Sequence, residues 1–181
     1  MTKHVALLRG INVGGRTQLA MADLRGLFTA LGYEDVRTYL RSGNVVFGAP
    51  AGQIPAELAA RIEERITDDL GTPVTVLVRT AGALARTLAR NPYLGREDDP
   101  AKLHVTFLAR EPTAEQAARL EVPAGETAVF TLTGDEIHLH VPDGYGRTRL
   151  NNAFIERRLG IPATTRNWRT VTALGELAAR D

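Results

Sequence analysis

The chain of 181 residues contains no cysteine, which excludes disulfides, thiolate nucleophiles and cysteine-ligated metals. It has only two lysines, Lys3 and Lys102. Each stands where a strand should begin, which argues against a buried Schiff-base lysine. Ser42 is the only serine, and no G-x-S-x-G elbow surrounds it. Neither sign of charge dominates: 22 basic residues face 21 acidic ones, so no global field advertises nucleic acid or membrane. Long apolar runs are also missing. Val5-Ala6-Leu7-Leu8 is too short for the core of a signal peptide, and nothing later approaches a membrane span. The expectation is a cytoplasmic protein. What is present is ordinary: 44% hydrophobic and 24% charged residues, in a chain long enough for one domain or two small ones.

Periodicity sets out the elements. His4–Arg9 reads as a strand, followed by a glycine-bearing loop from Gly10 to Ala20. Leu24, Leu27, Phe28 and Leu31 share one helical face, and Gly32 closes that helix. Val36–Arg41 and Val45–Phe47 read as strands joined by the hairpin signal Ser42-Gly43-Asn44. Leu58, Ile62, Ile66 and Leu70 mark a second helix, with Pro55 in its first turn and Gly71 at its end. Val74–Val78 is a fourth strand. The order is βαββαβ.

The second half echoes the first. His104-Val105 with Leu108 echoes His4-Val5 with Leu8, and Thr133-Gly134-Asp135 echoes Ser42-Gly43-Asn44. Leu159-Gly160-Ile161-Pro162 echoes Leu70-Gly71-Thr72-Pro73. Arg169-Thr170 with Ala173-Leu174 echoes Arg79-Thr80 with Ala83-Leu84. Thr113-Ala114-Glu115-Gln116 is a capping-box pattern. The expected fold class is α+β: a tandem duplication of two ferredoxin-like βαββαβ halves, each an antiparallel sheet with helices on one face. The expected boundaries are residues 1–80 and 102–181, with a connecting helix and linker over 81–101. Gly43 should superpose on Gly134, and His4 on His104.

Topology places the loop after the first strand and the central hairpin at one sheet end. Arg9, Gly10, Asn12, Gly14, Gly15, Arg16, Ser42, Gly43 and Asn44 are therefore the candidate ligand-binding residues of the first half. Glycines let a backbone approach an anion, and arginines add charge. The loop matches neither a P-loop nor G-x-G-x-x-G. In the second half, six arginines against the single acid Glu156 lie between Gly144 and Arg169. Arg147, Arg149 and Arg166 are the candidates there, as phosphate ligands beside a helix start. Arg166-Asn167-Trp168 also reads as architecture, with Asn167 capping the last helix. His104, His138 and His140 fall on strands expected to be neighbours, but a polar strand face explains their alternation, and no metal or cofactor is expected.

Three stretches carry a family resemblance. Leu7-Leu8-Arg9-Gly10-Ile11-Asn12-Val13-Gly14-Gly15, Ser42-Gly43-Asn44-Val45 and Thr164-Thr165-Arg166-Asn167-Trp168 resemble the bacterial family called domain of unknown function 1697. The resemblance runs over essentially the whole chain. It implies a cytoplasmic protein of two α+β subdomains and implies no activity. The family pattern has a serine and a lysine where this chain has Thr148 and Arg149, which keeps the hydroxyl and the positive charge. Three functions fit. The first is binding of an anionic, phosphate-bearing ligand, a small molecule or nucleic acid. The second is a metal-free enzyme that stabilises an anionic intermediate with Arg, Asn and backbone N–H groups. The third is a structural or protein-interaction module. Ordinary RNA-recognition binding is disfavoured, because neither half has the stacking aromatics on its third strand.

Overall fold

The computed structural model describes residues 1–180, and they form two compact units. One is Met1–Arg86 joined by the chain from Ala173 onward; the other is Thr87–Thr172. The first unit contains β1 (Thr2–Leu8), α1 (Met21–Ala30), β2 (Glu34–Tyr39), β3 (Asn44–Ala49), α2 (Pro55–Leu70) and β4 (Val76–Thr80). Next, α3 (Ala81–Ala89) carries the chain out of that unit. A 3-10 turn (Pro100–Lys102) then leads to β5 (Leu103–Leu108), α4 (Ala114–Ala118), β6 (Val129–Thr133), β7 (Glu136–His140), α5 (Asn152–Leu159) and β8 (Ala163–Asn167). Finally α6 (Trp168–Ala179) returns the chain to the first unit. Each sheet has four antiparallel strands, in the orders β2-β3-β1-β4 and β6-β7-β5-β8. The two halves are thus similar mixed α/β units with matching strand orders. No helix among the described residues is long and apolar enough to cross a membrane.

The helices form where the apolar spacing asks for them. In α1 the buried residues are Leu24, Leu27 and Phe28; in α2 they are Leu58, Ile62 and Ile66. They pack with Ala6, Leu8, Val45, Phe47, Val76 and Val78 of the sheet. Pro55 opens α2, and Gly71 closes it in the left-handed conformation, its N–H bonded to the Thr67 carbonyl. Gly160 closes α5 in the same way. In the second core Ile155 and Leu159 of α5 meet Leu108, Ile137, Leu139 and Ala163. The Thr113–Gln116 capping box is formed, yet α4 has five residues where α1 has ten.

Strand register corrects two of the sequence echoes. Val5 pairs with Arg79, and Val105 pairs with Arg166. The counterpart of Arg79-Thr80 is therefore Arg166-Asn167, three residues before Arg169-Thr170. The slip arises because helical faces look alike at a three-residue shift. Side-chain caps confirm the corrected match: the Thr80 hydroxyl accepts from Ala83 N, and Asn167 Oδ1 accepts from Thr170 N. The hairpins also differ in length. Tyr39 pairs with Asn44 across four residues, whereas Thr133 pairs with Glu136 across two. As a result Leu8 N donates to the Gly43 carbonyl, while Leu108 N donates to the carbonyl of Asp135 rather than Gly134.

The stretch Asn91–Ala101, expected as a linker, packs on the second unit. Tyr93 Oη and Thr131 Oγ1 are 2.8 Å apart, and His140 Nε2 lies 2.8 Å from Glu97 Oε2. The Asp99 N–H and His140 hold the Glu97 carboxyl below its usual range. On the same sheet face, buried Glu136 accepts from the hydroxyl of Thr87 and from Arg90 Nε. His138 Nε2 donates to the Thr87 carbonyl at 2.9 Å. His104 pairs with Leu139, so it points to the opposite face from His138 and His140, and the three imidazoles do not converge. His104 stacks instead on Tyr145, with ring centres 4.6 Å apart.

Burial pushes the His104 imidazole down to about 4, and it also lowers His4 and His138. The unfolded chain takes up these protons near 6.5, and the folded chain only at lower pH. Stability is therefore complete above pH 6.5 and falls as pH drops toward 4, by on the order of 3 kcal/mol from His104 alone. Urea midpoints at constant ionic strength should trace that fall, and His104→Phe should flatten it. Trp168 is buried near the His138 ring, and Val171, one turn on, is also buried. Trp168→Ala should cost about 3–5 kcal/mol in urea denaturation; an unchanged midpoint would refute its architectural role.

Candidate functional site

The loop and hairpin singled out in the first half do meet at one sheet end. The Asn12 amide nitrogen donates to the carbonyls of Leu19 (2.8 Å) and Arg41 (2.7 Å), and its oxygen accepts from Leu19 N. Asn12 thereby closes its own loop and ties it to the hairpin, with φ at +53°. Asn44 is buried and donates to the Tyr39 carbonyl (2.8 Å) and the Ser42 hydroxyl (3.1 Å). Gly43 has φ +87°, and a Cβ there would stand 2.7 Å from Ile11 Cδ1 and 2.8 Å from Leu8 Cβ. These residues build the loop and turn. Gly14, Gly15 and Arg16 are exposed, whereas Arg9 and Gly10 are half-buried, and Arg9 N donates to the Thr75 carbonyl.

The second-half candidates part company. Arg166 is almost fully buried; its guanidinium donates to Thr164 Oγ1 (2.6 Å) and the Thr165 carbonyl (3.1 Å). Burial lowers it to about 10, so it stays charged at neutral pH. Arg147 and Arg149 are exposed on the segment between β7 and α5. Arg147 lines a cleft of about 270 Å³ with Glu126, Asp143 and Thr148. Arg149 lines a larger pocket of about 540 Å³ with Asn151, Phe154, Arg157 and Arg158.

That larger pocket is built by α5 and the turn before it. Asn151 caps α5, its side-chain oxygen accepting from Phe154 N at 3.0 Å. One turn later, Arg157 and Arg158 lie over the Phe154 ring, 5.8 and 5.2 Å from its centre. Their positions in the last turn suit the negative end of the helix dipole. Arg149 is held from the other side: its backbone N–H and its Nε each donate to Glu126 Oε1 at 3.1 Å, and a terminal nitrogen donates to the Ala124 carbonyl. With the Thr148 hydroxyl added, these bonds hold the Glu126 carboxyl below its usual range, the Arg149 N–H first among them. No carboxylate is among the pocket's lining residues. Such a surface can bind and orient an anion through charge-assisted hydrogen bonds. The sequence alone does not single out Phe154, Arg157 and Arg158 as ligand residues, although the excess of arginine over Gly144–Arg169 contains the signal.

The chain belongs to the family described as a protein of unknown function, DUF1697, whose model matches residues 1–138. The solved structure of the conserved bacterial protein SP0830 from Streptococcus pneumoniae is similar along its whole length. It is 25% identical, with a TM-score of 0.73 and 98% of each chain covered. No curated protein matches. The three arginines of the pocket lie beyond the residues that the family model matches, whereas Pro123 and Ala124 of its lining lie within them.

The Gly43 geometry is directly testable. Gly43→Ala must take a left-handed backbone, at about 1–2 kcal/mol, and press into Leu8 and Ile11, at about 1–3 kcal/mol more. Gly14 also has positive φ, but an added Cβ meets nothing within 4 Å. Gly14→Ala should show only the first cost. Equal losses in urea denaturation would remove the packing explanation.

Proposed function

We propose that this protein binds a small phosphate-bearing anion in the pocket formed by Arg149, Asn151, Phe154, Arg157 and Arg158. The supporting observation is that three arginines and no carboxylate line a pocket of about 540 Å³, a size suited to a small molecule. Arginine's fixed fork of donors fits phosphate oxygens in pairs. The Gly10–Arg16 loop and the Ser42–Asn44 turn are read as scaffold, on the hydrogen bonds made by Asn12 and Asn44. In the same reading the two halves, residues 1–80 and 102–181, are copies of one ferredoxin-like unit joined through 81–101. The matching strand orders support that descent.

Millimolar phosphate or sulfate should raise the melting temperature of the full chain, with the gain shrinking as salt rises. Arg157 and Arg158 are exposed, so Arg157→Gln and Arg158→Gln should leave the fold intact. Each should weaken anion binding by about tenfold or more, the value of a charged hydrogen bond. A melting temperature indifferent to both anions, or double-variant affinity equal to that of the unaltered chain, would refute the reading.

A further inference from the structure

The charge balance inside the pocket narrows the ligand further, on the premise that the pocket binds a phosphate-bearing anion. Arg149 is already paired, because Glu126 accepts from its backbone N–H and its Nε and stays ionised at neutral pH. Arg157 and Arg158 are different. Among the described residues neither has a carboxylate partner, and both rest on the Phe154 ring. The pocket therefore offers two unmatched positive charges on adjacent residues of one helical turn.

A phosphomonoester carries about −1.5 to −2 charges at pH 7 and three terminal oxygens. A phosphodiester carries one charge and two free oxygens. Two guanidinium forks have four or more donors to place, and the monoester group supplies the matching charge and the extra acceptor. The Asn151 oxygen is taken by Phe154 N, which leaves its amide NH2 as a further donor on the lining. The volume exceeds what one phosphate group fills, and Pro123, Ala124, Ala153 and the Phe154 ring complete the lining. The remainder thus suits an organic group.

We infer that the ligand is an organic phosphomonoester bound as its dianion by Arg157 and Arg158, and not a phosphodiester such as a nucleic-acid backbone. The charged groups on the lining are Arg149, Arg157 and Arg158, with Glu126 behind them as the partner of Arg149. The Glu126 carboxyl lies below its usual range, so the ligand's own second ionisation, near 6, governs the pH response above pH 5.

The test is calorimetric titration of the full chain with phenyl phosphate, its methyl ester and a thymidine hexanucleotide without terminal phosphates. At pH 7.5 phenyl phosphate should bind at least tenfold tighter than the methyl ester. Its affinity should fall about fourfold at pH 5.5, following loss of the dianion, while that of the methyl ester stays flat. The double variant Arg157→Gln/Arg158→Gln, checked by circular dichroism for an intact fold, should bring the two esters within about twofold of each other. If both esters bind equally, or the hexanucleotide binds tightest, the dianion assignment is overturned and anion binding stands. If none of these probes binds, nor phosphate or sulfate, the reading of the pocket as an anion site falls with it.

Discussion

Burial of both faces of the central strand constrains each unit more than any other feature. β5 is buried along its whole length, and β1 is buried from His4 to Leu8. Any polar side chain on such a strand, or on those paired with it, must lie neutral or be hydrogen-bonded. The chain uses both solutions. His4 and His104 are kept neutral and stacked on Phe47 and Tyr145. Thr106 shares a hydroxyl bond with Thr165, Glu136 is held by Thr87 and Arg90, and Arg166 reaches Thr164 and a carbonyl. Polar groups in such surroundings fix register as well as stability, because a one-residue slip would strand every one of them.

That constraint separates what the amino-acid order reveals from what it conceals. Local signals survive folding. Gly71 and Gly160 stop their helices, Thr113 and Gln116 form their capping box, and Asn167 caps α6. The expected βαββαβ order reappears as two sheets with matching strand orders. Partners far apart in the chain leave no such trace. Tyr93 meets Thr131 and Glu97 meets His140 across intervals with no periodicity, so the segment carrying them resembles a linker. The slipped match of Arg169 to Arg79 has the same origin. A helix presents similar residues every three or four positions, and only the strand pairs Val5–Arg79 and Val105–Arg166 fix the alignment.

The candidate pocket was legible only as composition. Arginine outnumbers acid across Gly144–Arg169, but which arginines are free depends on Glu126, far back in the chain, and on Thr164 inside β8. Glu126 takes Arg149, and Thr164 with the neighbouring carbonyl takes Arg166. Of the four that remain, only Arg157 and Arg158 form a pair, following Phe154 on one turn of α5. Conspicuous motifs such as Gly10–Gly15 and Ser42–Asn44 draw the eye through unusual backbone geometry. At Gly43 the positive φ and the missing Cβ admit Leu8 and Ile11.

The path of the chain through α3 and α6 bears on how the protein is made. The first unit includes the chain from Ala173 onward, while the second is complete within Thr87–Thr172. On a ribosome, the first unit must therefore wait for Ala173 and the residues that follow it, whereas the second needs the chain only as far as Thr172. Emergence order and completion order are reversed, contrary to the usual rule that N-terminal domains fold first.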